Sequence, residues 1–86
     1  MIKYKDYGIQ PNDAGGYVVG TVKKDKDGKD TLYRASYPST ITRALEIIRN
    51  EEFAKKIDSK DYTLEEAIKE FRDITNEIKE ALKEAL

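Results

Sequence analysis

The sequence contains no cysteine, no histidine and no tryptophan, and only two prolines and one methionine in 86 residues. Each absence removes a class of chemistry. Without cysteine there is no disulfide framework, no thiolate metal site and no cysteine nucleophile. Without histidine the commonest zinc ligand and the commonest general base at neutral pH are missing. No apolar run approaches the ~18 residues of a membrane-spanning helix. The opening Met1–Asp6 carries no apolar stretch of the signal-peptide kind, so a cytoplasmic protein is expected. Neither sign of charge dominates, with 16 Lys plus Arg against 17 Asp plus Glu and a net charge of −1. The length fits a single domain, 1–86, with a small core. A chain of low net charge does not repel its own copies, and a homodimer is expected.

The chain reads as a β half, 1–38, followed by a helical half, 39–86. Ile2–Ile9 and Gly16–Val22 are rich in aromatic and β-branched residues, and Thr31–Tyr37 is a third such run. The Pro11–Gly16 segment reads as a loop. Asp25-Lys26-Asp27-Gly28 reads as a hairpin turn, with Gly28 supplying the left-handed position. The product is a three-stranded antiparallel meander.

In the second half, Ser39 and Thr40 offer helix caps, and Ile41, Ala44, Leu45 and Ile48 make a one-sided stripe. Continued further, the helix would place Glu52 and Lys55 among apolar positions and Phe53 and Ile57 among polar ones. Either it breaks near Asn50, or it runs on and Phe53 and Ile57 form a second apolar patch for a partner or a second copy. Thr63 and Glu66 stand at capping-box spacing. Behind them Leu64, Ala67, Ile68, Phe71, Ile74, Ile78, Ala81, Leu82 and Ala85 hold one face of a long last helix. The fold class is therefore α+β: a three-stranded antiparallel sheet followed by two helices packed on one face. The expected core is Val18 or Val19, Val22, Leu32, Ile41, Leu45, Ile48, Leu64, Ile68, Phe71 and Ile78.

Little of this suggests catalysis. The acids sit mostly on helix surfaces beside lysines, and no glycine-rich phosphate loop is present. Asp25–Asp30 lacks the glycine position and the closing glutamate of a calcium loop. No enzyme activity, cofactor or metal is expected. The segment joining the third strand to the first helix holds the most chemistry. Hydroxyls and backbone N–H groups at a helix start attract anions, so Tyr33, Arg34, Tyr37, Ser39, Thr40 and Arg43 form a candidate ligand or partner site. A nucleotide would suit it. The simpler account has Ser39 or Thr40 capping the helix, Tyr37 packed beneath it and both arginines solvated. Lys23, Lys24, Lys26, Lys29 and Arg34 could instead meet DNA across the sheet. That hairpin and strand-to-helix step resemble the arm-binding domains of phage integrases, but the acidic pI of about 5.5 opposes nucleic-acid affinity.

The Tyr-led first strand, the Lys/Asp/Gly hairpin, Tyr33–Ser39 entering a helix and Asp61–Ala67 opening the last one resemble small β-β-β-α-α accessory proteins of phages and prophages. The resemblance implies no catalytic residues. It implies a protein that binds a host protein and inhibits it, for instance a defence protein, or one that sequesters a nucleotide signal.

Overall fold

The computed structural model describes residues 1–85, with side chains through residue 81. Leu82, Ala85 and their part in the last helix's stripe lie outside the described side chains. The chain forms two compact units, Met1–Leu45 and Glu46–Leu86. Its elements are β1 (Ile2–Tyr4), β2 (Tyr7–Pro11), β3 (Tyr17–Lys24), β4 (Asp30–Ser36), α1 (Ile41–Asp58) and α2 (Leu64–Ala85). The class is α+β, with an antiparallel sheet ordered β1-β2-β3-β4.

The sheet has four strands, not the three expected. Ile2–Ile9 folds back on itself at Lys5-Asp6, pairing Tyr4 with Tyr7 and Ile2 with Ile9. The reason lies in the phase of the apolar residues. Ile2 and Tyr4 occupy even positions, while Tyr7 and Ile9 occupy odd ones. One straight strand would send the two pairs to opposite faces. A two-residue turn returns all four to one face, beside Thr21 and Val19. Tyr7, Ile9 and Val19 are there buried. Lys5 takes a left-handed φ of 50° to make the turn. The Asp6 carbonyl then accepts a 2.7 Å hydrogen bond from the Val22 N–H.

The opposite face is strongly coiled. A Cβ on Gly8 would lie 2.8 Å from Met1 Sδ, 2.8 Å from Val22 Cγ2 and 2.9 Å from Leu32 Cδ2. Three apolar side chains therefore close over a position that has none. Lys3 of β1 reaches Asp30 of β4 at 2.5 Å, and Lys24 holds the other carboxylate oxygen at 2.6 Å. Three strand spacings in a flat sheet span about 14 Å, beyond the reach of a lysine, so this clamp exists only because the sheet coils. At the far end, Asp25 Oδ1 accepts from the N–H groups of Asp27 (2.8 Å) and Lys29 (2.9 Å), and Gly28 adopts φ 79°. The expected hairpin turn is in place.

In the helical unit, α1 runs through Asn50 for 18 residues without the break near that position. An exposed asparagine inside a helix costs only a fraction of a kcal/mol, and packing on its neighbours outweighs it. The irregular apolar pattern marks a second stripe instead. Arg49, Phe53 and Lys56 stand at i, i+4 and i+7 and all three meet α2. Phe53 packs edge-on against Phe71 with centroids 5.1 Å apart, Arg49 lies over the Phe71 ring, and Lys56 approaches Glu70 at 3.6 Å. Phe53 thus has its partner within the chain, whereas Ile57 stays exposed. Glu52 is buried, with Lys55 3.6 Å away.

The capping box forms as expected: Glu66 N–H donates to Thr63 Oγ1 at 3.2 Å, and Thr63 Oγ1 donates to Glu66 Oε1 at 3.0 Å. Ile48, Ile74 and Ile78 are buried. Leu64 and Ile68, expected in the core, are 78% and 45% exposed. The Lys56–Glu70 and Phe53–Phe71 contacts fix the hairpin register. By that register Leu64 lies level with the connecting segment, where α1 has already ended.

Two outcomes follow. Phe53→Ala should destabilise the chain by about 1–3 kcal/mol in urea unfolding, a half-buried version of the usual phenylalanine truncation. No loss would return Phe53 to the surface. The two lysines hold the Asp30 carboxyl down to about 2, the hydrogen bond from Lys24 being the larger cause and that from Lys3 the next. A depressed carboxylate stabilises the fold above its unfolded value of 3.8 and loses that effect as pH falls toward 2. Asp30→Asn should therefore lower the urea midpoint at neutral pH, and the gap from the parent chain should close between pH 4 and 2.

Candidate functional site

The segment from Tyr33 to Arg43 is built on a bulge. Val19 pairs with Ser36 and Thr21 with Tyr33, so Arg34 and Ala35 together oppose the single residue Gly20. Arg34 adopts φ 54°, the left-handed conformation that glycine takes most cheaply. Gly20 makes the crossing feasible, because a Cβ there would stand 2.9 Å from the Tyr33 carbonyl oxygen and 3.3 Å from Ala35 Cα.

Two cations flank the Tyr33 ring: Lys23 Nζ lies 4.1 Å from its centroid and the Arg34 guanidinium carbon 5.6 Å. Tyr33 is 49% exposed and Tyr37 70% exposed. Tyr37 therefore does not pack beneath the helix.

Beyond Tyr37 the chain is pinned. Pro38 is buried, and its carbonyl accepts a 2.9 Å hydrogen bond from the Tyr17 N–H. Gly16, at φ 73°, lies under this crossing, where a Cβ would meet the Pro38 oxygen at 2.7 Å. Thr40 is the cap: its Oγ1 accepts from the Arg43 N–H at 3.1 Å, and its carbonyl accepts from the Ala44 N–H at 3.2 Å. Ser39 stays exposed.

The structure thus brings Tyr33 and Arg34 together with Lys23, and Thr40 together with Arg43. Tyr37 and Ser39 project from the short connection between the two groups. Capping by Thr40 uses one of the helix-start N–H groups that an anion would need. Gly16 and Gly20 were not singled out from the sequence. Their role shows only once two backbones are seen to cross.

Among the described residues of the helical unit, the exposed large apolar ones are Leu64, Ile68 and Ile57. Ile57 lines a groove with Ala54, Lys55 and Asp58. Among the described residues no group of three or more His, Cys, Asp or Glu side chains could hold a metal ion. Among them, no helix is long and apolar enough to cross a membrane. No protein-family model, curated protein or solved structure matches this chain.

The bulge yields a paired outcome. Arg34→Gly should leave the fold intact and raise its stability by up to about 1 kcal/mol, through relief of the left-handed strain. Gly20→Ala should lower it by about 1–3 kcal/mol, because the atom in the way is backbone. Thermal melts of both variants read the difference.

Proposed function

We propose that this chain is a non-enzymatic accessory protein of the phage type, which binds a host protein and inhibits it by covering part of its surface. The observation that carries this reading is the Tyr33-Arg34…Tyr37 surface, two exposed tyrosines with an arginine held in a strained backbone conformation. Tyrosine and arginine are the side chains that most often dominate binding energy at protein interfaces. Tyrosine offers large contact area with little rotamer freedom to lose, and arginine offers a fixed fork of donors. A host defence protein is the class of partner the resemblance suggests. The Asp30 carboxyl, whose pKa is held low, is clamped between two lysines of the sheet, an arrangement suited to structure rather than to proton transfer. The expected homodimer belongs with this reading, since a second copy would cover exposed Leu64 and Ile68.

The test begins with partner capture from bacterial lysate and continues with affinity measured on the purified pair. Tyr37→Ala and Arg34→Gly should each weaken binding by roughly tenfold or more, as interface anchors do, with unchanged circular dichroism. A partner bound equally well by both variants would place the contact elsewhere. Failure to capture any protein that is inhibited on binding would overturn the reading itself.

A further inference from the structure

The helical unit carries a groove of about 460 Å³ lined by Arg49, Phe71, Arg72, Thr75, Asn76 and Lys79. Three of these residues are cations and none is a carboxylate. The groove is therefore an electropositive strip on a unit, residues 46–86, that holds eight basic and twelve acidic side chains. Arg72, Thr75, Asn76 and Lys79 fall at i, i+3, i+4 and i+7 of α2 and so form one stripe.

Arg49 faces that stripe from α1. Its guanidinium carbon lies 4.6 Å from the Phe71 centroid, and this packing fixes the donor fork at the groove wall. Its Nε and Nη2 donate long, 3.5 Å hydrogen bonds to Asn50 Oδ1, weak contacts that a phosphoryl oxygen would displace. Among the described residues, neither Arg72 nor Lys79 makes an ion pair.

The spacing selects the ligand. Seven residues separate Arg72 from Lys79, about 10 Å along the helix axis. Linked phosphoryl groups meet both ends of such a strip with each side chain in place, whereas a lone phosphate or carboxylate engages both only if the two side chains bend toward each other, at a cost in rotamer freedom. Arginine forks grip phosphoryl oxygens in pairs, and lysine adds a point charge. The Asn76 amide lies between the cations as a neutral donor. The Phe71 ring already carries the Arg49 guanidinium at 4.6 Å on the groove side, so it offers no platform for a base there. Recognition would rest on the phosphate chain alone.

We propose that this groove binds a small molecule carrying two or more linked phosphoryl groups, with Arg49, Arg72 and Lys79 as its cationic contacts. The proposal does not depend on the protein-binding reading, which uses residues 33–37.

Isothermal titration calorimetry on the full chain tests it with inorganic tripolyphosphate, ATP and GTP. All three should bind with similar affinity, weakening as salt is added. The Arg72→Ala, Lys79→Ala double variant should lose roughly tenfold or more, the worth of one charged hydrogen bond at least. Both residues are exposed, so its melting temperature should hold. Absence of tripolyphosphate binding overturns the proposal, as does binding that survives the double variant. Equal affinity for a polyglutamate peptide would also overturn it, assigning the groove to an acidic protein segment. None of these outcomes bears on the Tyr37 and Arg34 variants, so the two readings fail separately.

Discussion

The missing side chain at Gly20 governs the course of β4. The strand crosses this position so closely that a Cβ would collide with the Tyr33 carbonyl oxygen at 2.9 Å. Two residues, Arg34 and Ala35, therefore occupy the space opposite one, and Arg34 turns left-handed to absorb the extra length. Regular pairing resumes at Val19 and Ser36. From there the chain needs only two residues to bring the Pro38 carbonyl to the Tyr17 N–H, and two more to reach the Thr40 cap. The start of α1 is thus located by backbone constraints that begin at a glycine inside β3. Gly8 does the same for the other half of the sheet. Its empty position lets Met1, Val22 and Leu32 converge, and their convergence brings Lys3 to Asp30.

The helical unit has a different organising element, the Phe71 ring. Phe53 meets it edge-on and Arg49 lies over it. Edge-on aromatic pairs and cation–π contacts are each worth about 0.5–1.5 kcal/mol beyond the area they bury. Here both depend on the same ring. Register in an antiparallel hairpin is otherwise weakly set by isoleucine packing, because Ile48, Ile74 and Ile78 could slide by a turn at modest cost. A slide by one turn would part the Phe71 ring from Phe53 and from the Arg49 guanidinium at once, so the two contacts together favour the observed register. The fixed register has a second consequence. It leaves the first turn of α2 beyond the end of α1, and Leu64 is exposed for that reason.

What was legible in the sequence divides along the same lines. Local chemistry was readable: the Asp25–Gly28 turn, the Thr63–Glu66 box and a cap at Ser39 or Thr40 each follow from side chains acting within a few residues, and the structure gives the cap to Thr40. The β1–β2 turn was also encoded, in the shift from Ile2 and Tyr4 to Tyr7 and Ile9, although Lys5-Asp6 lacks the glycine that usually announces a tight hairpin. The second stripe of α1 was harder to read. Arg49, Phe53 and Lys56 hardly register as an apolar pattern, since two of them act through a guanidinium and an ammonium. Of the candidate site, residue types and the cap were legible. The strain at Arg34 was not, because no local rule places arginine at a bulge position that glycine fills best. Its conformation is imposed by the strand opposite.

That imposed conformation can be weighed against what it returns to the fold. A non-glycine residue in the left-handed region costs roughly 1–2 kcal/mol. Among the described residues the exposed Arg34 side chain makes one cation–π contact, a long one at 5.6 Å to the Tyr33 centroid, and no ion pair. Exposed cation–π contacts are worth about 0.5–1 kcal/mol at best, and Lys23 already stands closer to that ring at 4.1 Å. The fold therefore gains less from arginine at this position than the backbone loses. Strain of this kind tends to persist where function uses it. Leu64 makes an instructive comparison. It is more exposed than either Tyr33 or Tyr37, yet an exposed leucine on a helix costs nothing in conformation and is common on protein surfaces. Exposure alone ranks Leu64 first among candidate contact residues, whereas the balance of cost and return ranks Arg34 first, and the second criterion discriminates better because it measures what the folded chain cannot account for by itself.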